Sequence, residues 1–140
     1  MILVKQVGVY VNILNCRLKK YLAEEFKKNN VNLTAEQYLV MDTLWNEGTL
    51  TQQAIAFIIQ KDKNSVTQFI DNLEKKGLVT RSVAKDDRRV NNIVVTKEGM
   101  ALKDSTKKLA IETMNKALEG IPEQDVLTFV DVLKKVCANI

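Results

Sequence analysis

The chain has 140 residues, of which 46% are hydrophobic, enough to build the core of one domain. It contains no histidine, so it lacks the commonest general base and the commonest metal ligand of proteins. Its two cysteines, Cys16 and Cys137, form neither a Cys-x-x-Cys pair nor a disulfide framework. Because a phosphate loop and a nucleophile elbow are also missing, we expect no enzymatic activity, no metal and no cofactor.

The net charge of +4 is concentrated in one stretch of the sequence. Residues 61–89 contain eight Lys or Arg and five Asp or Glu, so this stretch carries +3 of the +4. A local excess of positive charge is what a phosphate-binding surface requires.

The N-terminal segment is apolar, but it does not have the pattern of a signal peptide. Lys5, Gln6 and Asn12 interrupt it, and neither a basic segment before it nor a small-residue cleavage site after it is present. No apolar run reaches the roughly 18 residues of a membrane-spanning helix. We therefore expect a soluble cytoplasmic protein that does not contact a membrane.

The first predicted helix covers about residues 4–28. Its apolar residues recur at helical spacing: Val7, Val11, Leu14, Leu18, Leu22 and Phe26. Further apolar residues widen this stripe in the first half, so the helix needs more than one partner element. Either a well-buried helix of a monomer or a subunit interface would satisfy this pattern, and we favour the interface.

The second predicted helix begins at a capping box formed by Thr34 and Gln37. It should continue to about Asn46, and Gly48 should end it. Its predicted buried residues are Leu39, Leu44 and Trp45.

Two shorter helices are predicted next, with Thr51 and Asp62 as their N-caps. The first has about two turns, and Gly77 closes the second. The predicted buried face of the second helix is Val66, Phe69, Ile70 and Leu73. Its other faces carry Lys63, Asn64, Ser65, Thr67, Gln68 and Asn72.

The pattern then changes to that of a β-hairpin. Residues 78–83 and 92–96 are β-branched or alternating, and the polar residues 84–89 lie between them. Thr96 is predicted to cap a long helix that extends to about Glu119, and Pro122 fits the start of a last helix. The predicted fold is mainly α with a small β-hairpin wing, in the order α-α-α-α-β-β-α-α.

A short helix, a turn, a capped helix and a basic hairpin form a winged helix-turn-helix. A helix about 10–12 Å across fits the major groove of DNA, which is about 12 Å wide. Short polar side chains on its first turns can reach base edges, and Asn64, Ser65, Thr67 and Gln68 are of this kind. The alternative is that these four residues are simply solvated.

Two segments of the sequence resemble regulators of the MarR family, and both align with the family without a gap. They are LTQQAIA at residues 50–56 and DKNSVTQFIDNLEKKGLVTR at residues 62–81. The wing sequence Asp87-Arg88-Arg89, followed by Val95-Thr96-x-x-Gly99, is similar to the family signature D-x-R…L-T-x-x-G. The resemblance is close over about residues 33–100, whereas the flanking helices match in placement and length.

The resemblance implies a homodimer that binds a near-palindromic double-stranded operator, usually as a repressor. It implies one unit over residues 1–140, with a DNA-binding lobe at 34–98 and a helical dimerisation lobe at 1–30 and 99–140. The recognition helix would enter the major groove and the wing an adjacent minor groove.

The resemblance also assigns roles to individual residues. Arg89 would enter the minor groove, where arginine is favoured, and Asp87 would orient the wing by ion pairs. Candidate cations beside Asp87 or at the DNA backbone are Lys85, Arg88 and Arg81. Lys63 joins the four polar residues of the recognition helix as a predicted DNA contact. Thr51 and Gln52 are expected at the DNA backbone, because a helix start offers free N–H groups.

One position departs from the family pattern, since Gln68 replaces a residue that is often basic. Loss of that cation would weaken backbone binding or change base preference.

A small-molecule effector is expected in a cleft between the DNA-binding lobe and the dimerisation helices. Four aromatic residues are candidates for its lining, although each also fits the core: Tyr10, Tyr21, Tyr38 and Trp45.

Two alternative functions stay open. Some relatives sense organic hydroperoxides through a cysteine early in the first helix, but Cys16 lies about six residues later than that pattern, and a buried Cys16 is the simpler interpretation. The other alternative is a winged helix that binds protein instead of DNA. Such modules usually lose the basic wing, which this chain keeps.

Overall fold

The computed structural model describes residues 2–84 and 87–140, apart from the side chains of residues 84 and 87–89. The elements are α1 (Leu3–Lys28), α2 (Ala35–Glu47), β1 (Leu50–Thr51), α3 (Gln52–Ile59), α4 (Lys63–Lys75), β2 (Val79–Ala84), β3 (Asp87–Val95), α5 (Lys97–Ala101), α6 (Lys103–Ala117) and α7 (Glu123–Asn139). The predicted fold class, mainly helical with a small β wing, is confirmed.

Four helices begin at the side-chain caps that the sequence predicts. Thr34, Thr51, Asp62 and Thr96 each accept a hydrogen bond from the backbone N–H three residues further on. At Thr34 the box is complete, because its own N–H also donates to the Gln37 side chain at 3.1 Å. These bonds satisfy N–H groups that have no partner inside the helix, and so they fix where each helix starts.

The sheet has three antiparallel strands in the order β1-β3-β2. The hairpin of β2 and β3 is the predicted one, whereas β1 was not predicted. It pairs only Leu50 and Thr51 with Ile93 and Asn92, and two residues are too few to show an alternating pattern. Its effect is to attach the start of α3 to the base of the wing.

The core lies where α2, α3, α4 and the sheet meet. Its fully buried side chains include Val40, Met41, Leu44, Ile55, Val66, Ile70, Leu73 and Ile93. The prediction that Leu39 is buried was wrong, because this side chain is 37% exposed. The buried face of α2 passes through Gln37, Val40, Met41, Leu44 and Trp45, and Leu39 lies beside it.

The long helix predicted from Thr96 to Glu119 is interrupted at Leu102, so it forms α5 and α6. The two parts have different partners, since α5 packs on β3 and α6 packs on α1 and α2. The indole of Trp45 donates a hydrogen bond to the Gly99 carbonyl at 3.1 Å. This hydrogen bond ties α2 to α5 shortly before the break.

Among the helices of residues 2–84 and 87–140, none has both the length and the apolar character needed to cross a bilayer.

Candidate nucleic-acid interface

The helix pair α3–α4 is held to the core through one face of each helix. Ile55 of α3 and Val66, Ile70 and Leu73 of α4 are buried. The turn between the helices places Gln60 in the left-handed conformation, with φ of 56°. Since the apolar face of α4 is used in the core, its polar face points away from the protein.

The five predicted recognition residues of α4 fall into two groups. Lys63, Asn64 and Gln68 are exposed, whereas Ser65 and Thr67 are half-buried. Both hydroxyls have partners within the protein. The Ser65 hydroxyl donates to Asp62 Oδ2 at 2.9 Å, and the Thr67 hydroxyl donates to the Lys63 carbonyl at 2.9 Å.

Asp62 holds the first turn of α4 with one carboxylate. Its Oδ1 accepts from the Ser65 backbone N–H at 2.7 Å, while Oδ2 accepts from the Ser65 hydroxyl. These hydrogen bonds from Ser65 lower the pKa of Asp62 below its usual value. The carboxylate is therefore charged at neutral pH and caps the first turn of α4.

Thr51 and Gln52, predicted to contact a DNA backbone, lie at the junction of β1 and α3. The Thr51 hydroxyl accepts from the Ala54 N–H, and the Gln52 amide donates to the Thr67 hydroxyl. The Gln52 contact joins α3 to the middle of α4 and fixes how the two helices sit against each other. A cleft of about 490 Å³ opens beside them, with Lys63, Val90 and Asn91 on its other side.

Arg81 of β2 connects the wing to α4. Its guanidinium donates to Asp71 Oδ1 at 2.6 Å and to Glu74 Oε1 at 2.9 Å, and its backbone N–H donates to Glu74 Oε2 at 3.2 Å. Arg81 was predicted to pair with Asp87 or to contact DNA, and its contacts with Asp71 and Glu74 were not predicted. The signal was present, because Asp71 and Glu74 are one helical turn apart and the strand follows directly.

The tip of the wing carries four further predicted residues. Lys85 lies outside the described residues, and so do the side chains of Asp87, Arg88 and Arg89. Below the tip the hairpin is regular, with Ser82 opposite Asn92 in the antiparallel register. The roles given to these four residues stay predictions.

A second cleft, of about 340 Å³, lies between α1, α2 and α6. Its walls are mainly apolar and include Leu18, Leu22, Leu39, Ile111 and Met114. Tyr38, one of the four aromatic candidates, also lines it. Burial, aided by nearby Asp42, raises the pKa of Tyr38 to about 12, so its hydroxyl is neutral at physiological pH. Lys19, the cation at this cleft, is 3.5 Å from Glu36.

The other three aromatic candidates do not line this cleft, and Tyr21 is half-buried on α1. Tyr10 lines a groove of about 740 Å³ between α1 and α7, together with Val7, Val11 and Phe129. Trp45 is a core residue, as its contact with Gly99 shows.

Cys16 is an exposed residue, so the interpretation of it as a small buried hydrophobe is wrong for the single chain. Its sulfur lies 4.0 Å from the Asn12 side-chain oxygen. Cys137 is exposed as well, and both thiols are free. In the part of the chain that the structure describes, no group of three or more His, Cys, Asp or Glu could hold a metal ion.

The two outer helices expose large apolar side chains. On α1 they include Val4, Val7, Tyr10, Val11 and Leu14, and on α7 Leu127, Phe129, Val130, Val132 and Leu133. No residue of α7 is buried in the single chain. An apolar surface of this extent usually marks an interaction site in a soluble protein.

The α3–turn–α4 unit, the hairpin behind it and the three-stranded sheet define a winged helix-turn-helix protein. Residues 33–90 match the family model of the MarR family. The winged helix-turn-helix fold that the sequence predicted is thereby confirmed, and the resemblance to the MarR family is confirmed over residues 33–90.

Known proteins of this kind resemble the chain in sequence and in fold. The organic hydroperoxide resistance transcriptional regulator of Bacillus subtilis is 32% identical over 76 residues, which are 54% of this chain and 52% of that protein. The chain thus spans about half the length of this relative.

Among solved structures, a MarR-family transcriptional regulator from Rhodococcus sp. RHA1 has a TM-score of 0.85 at 23% identity, covering 97% of this chain and 95% of that one. A mutant MarR from E. coli, complexed with operator DNA, has a TM-score of 0.85 at 21% identity, covering 97% of this chain and 99% of that one. Both likenesses concern the fold.

Proposed function

We propose that this protein is a homodimeric transcriptional regulator that binds a near-palindromic double-stranded DNA operator and represses transcription. One observation carries the proposal: α4 buries Val66, Ile70 and Leu73, with Phe69 half-buried instead of buried as predicted, and presents a polar face beside a basic hairpin. The fold of a MarR protein complexed with operator DNA supports it, since that fold covers almost the whole of this chain.

The proposal divides the chain into two lobes. Residues 34–98 form the DNA-binding lobe, and residues 1–30 and 99–140 form the dimerisation lobe. The exposed apolar side chains of α1 and α7 support this division, because a second copy of the chain would remove them from water. Two copies would present two α4 helices to the two halves of the operator.

DNA contacts are assigned by position. Lys63, at the start of α4, and the wing residues Lys85, Arg88 and Arg89 supply positive charge to phosphates and to the minor groove, with Asp87 orienting the wing. Backbone N–H groups near Thr51 and Gln52 approach a phosphate beside the cleft at the start of α3. The side chains of both residues keep their contacts within the protein.

The cleft between α1, α2 and α6 is the proposed effector site. It joins α2 of the DNA-binding lobe to α1 and α6 of the dimerisation lobe, so an occupant would touch both lobes. A ligand that favours an altered spacing of the two α4 helices lowers the affinity for the operator by a shift of population.

The proposal is tested by selecting duplexes from the genome and measuring their affinity by fluorescence anisotropy at two salt concentrations. We expect the wild type to prefer the selected duplex to a scrambled one and to lose affinity steeply as salt rises. No preference for any duplex would overturn the proposal and would favour a winged helix that binds a protein partner.

Substitution of the wing arginine gives a sharper prediction. Arg89→Ala should weaken binding strongly and reduce the slope of log affinity against log salt by about one unit, because one cation leaves the DNA. Lys97→Ala is the matched control, since Lys97 is an exposed cation in α5, beyond the wing. Equal slopes for wild type and Arg89→Ala would contradict the role of Arg89.

A further inference from the structure

The polar face of α4 is not uniform, and hydrogen bonding separates its side chains. The hydroxyl of Thr67 both donates to the Lys63 carbonyl and accepts from the Gln52 amide. The hydroxyl of Ser65 donates a hydrogen bond to the Asp62 carboxylate. That carboxylate is the N-cap of α4, so the hydroxyl helps to hold the cap in place. Donating to a base from either hydroxyl would require the breaking of a contact that orders α4.

Asn64 and Gln68 differ from them in both respects. Their side chains are exposed, and the described part of the chain offers neither amide a hydrogen-bond partner. An amide carries a donor and an acceptor side by side. Both pairs of donors and acceptors are therefore available to DNA without cost to the helix.

Their direction is also favourable. At about 100° per residue, Asn64 and Gln68 lie within about 40° of each other on the helix. This direction is opposite the buried residues Val66, Ile70 and Leu73. Ser65 and Thr67 lie on the flanks of the same face. The two amides are thus the side chains of the first two turns that point straight into a groove.

The part of this α4 face that can contact bases ends one helical turn after Gln68. Asp71 is the next residue on this face, and its carboxylate is 2.6 Å from Arg81. A carboxylate already paired with the wing is a poor match for an adenine edge, which requires a donor as well as an acceptor. Asn72, also an exposed amide, lies in the third turn and about 60° from the direction midway between Asn64 and Gln68. The base contacts from α4 are therefore assigned to its N-terminal half, as in other helix-turn-helix proteins.

The geometry points to Asn64 and Gln68 as the two base-reading residues of α4, each reading an adenine, with Ser65 and Thr67 as positioning residues. This inference rests on the proposed DNA binding. An amide matches the N6 donor and N7 acceptor of adenine in the major groove. Four residues rise about 6 Å along the helix, and base pairs are about 3.4 Å apart. The two adenines therefore lie about two base pairs apart in each half of the operator.

The test uses the full-length protein and a pool of random duplexes. Selection with the wild type should return half-sites with two adenines about two base pairs apart. Replacing each adenine by 7-deazaadenine, which removes N7 but keeps Watson–Crick pairing, should lower affinity about tenfold or more.

Four variants then separate the two groups of residues. Asn64→Ala and Gln68→Ala should each remove the preference for adenine at one of the two positions. At that position the affinity of the variant should no longer change when adenine is replaced by 7-deazaadenine. Ser65→Ala and Thr67→Val are the matched controls, and both should keep both preferences, whatever their effect on overall affinity. All four should melt cooperatively with wild-type far-UV circular dichroism.

The outcomes distinguish this inference from the proposed function. If the wild type selects a sequence but Asn64→Ala and Gln68→Ala keep both preferences, the assignment is wrong while DNA binding stands. Loss of a preference in Ser65→Ala or Thr67→Val would also overturn it. If the wild type selects no sequence at all, the proposed function fails, and this inference fails with it.

Discussion

At the scale of single residues, Gly99 shows why the Thr-x-x-Gly end of the signature needs a residue without a side chain. A Cβ atom built on Gly99 would lie 2.3 Å from the Leu78 carbonyl oxygen and 2.7 Å from a methyl carbon of Val95. Thr96, three residues earlier, caps α5 and donates its hydroxyl to the Gly77 carbonyl at 2.6 Å. The Thr96 hydrogen bond and the missing side chain at Gly99 thus allow α5 to pack directly against Gly77 and Leu78, between α4 and the wing.

We predict that Gly99→Ala destabilises the protein by roughly 3 kcal/mol, because the clash is with backbone that has no room to move. Chemical denaturation of both proteins measures the difference. Glu98→Ala, an exposed neighbour in the same short helix, should change stability by less than about 0.5 kcal/mol. An equal stability of Gly99→Ala and wild type would show that α5 does not need this close approach.

Residue-level prediction from the sequence succeeded where the chemistry is local. The caps at Thr34, Thr51, Asp62 and Thr96 depend only on residues three positions apart, so their pattern is visible in the sequence. Contacts between distant residues were not predicted. The bond from Trp45 to Gly99 joins residues 54 positions apart, and no local pattern announces it.

At the scale of elements, Arg81 joins the wing to α4, the two elements that the proposed function places on DNA. It places β2 of the wing against α4 through Asp71 and Glu74. The Arg81 side chain is about four-fifths buried, although the side chains of Asp71 and Glu74 stay partly exposed. The forked group can bind two carboxylates at once, which a lysine ammonium cannot do with the same geometry.

A double-mutant cycle between Arg81→Ala and Glu74→Ala should therefore give a coupling energy. We expect about 0.5 kcal/mol in urea denaturation, a small value because Glu74 is partly exposed and water screens the pair. Arg81→Ala alone should cost about 1 kcal/mol, since it also releases Asp71. Strict additivity of the two substitutions would mean that the ion pair does not hold the wing to α4.

The helices and the hairpin were predictable, but the element boundaries were only partly so. Strong periodicity identified α1, α2, α4 and α7. The two-residue β1 carries no periodic signal, and the break between α5 and α6 depends on the different partners of the two parts. Tertiary packing decides both features.

At the scale of the whole molecule, burial is uneven along the chain. Its compact core lies in the winged-helix region, whereas α7 buries none of its residues and α1 buries only Phe26. The sequence analysis expected a subunit interface from the wide apolar stripe of α1. The exposed apolar side chains of α1 and α7 support that expectation.

The lining of the clefts could not be predicted from the sequence. Aromatic residues suggested an effector site, yet Tyr38 and Tyr10 line separate openings and Trp45 is in the core. Composition identifies candidate side chains, while the arrangement of helices decides which of them share a space. The choice of Asn64 and Gln68 as base-reading residues likewise depends on the side-chain contacts of α4, which the sequence does not show.

The proposed function requires that two copies of the chain bind one operator together. Sedimentation equilibrium of the protein with its selected duplex, and with a scrambled duplex at the same moderate salt concentration, measures this most directly. We predict two chains per selected duplex, with the scrambled duplex left mostly free. One chain per duplex, or equal occupancy of the two duplexes, would contradict a dimer that reads sequence through α4.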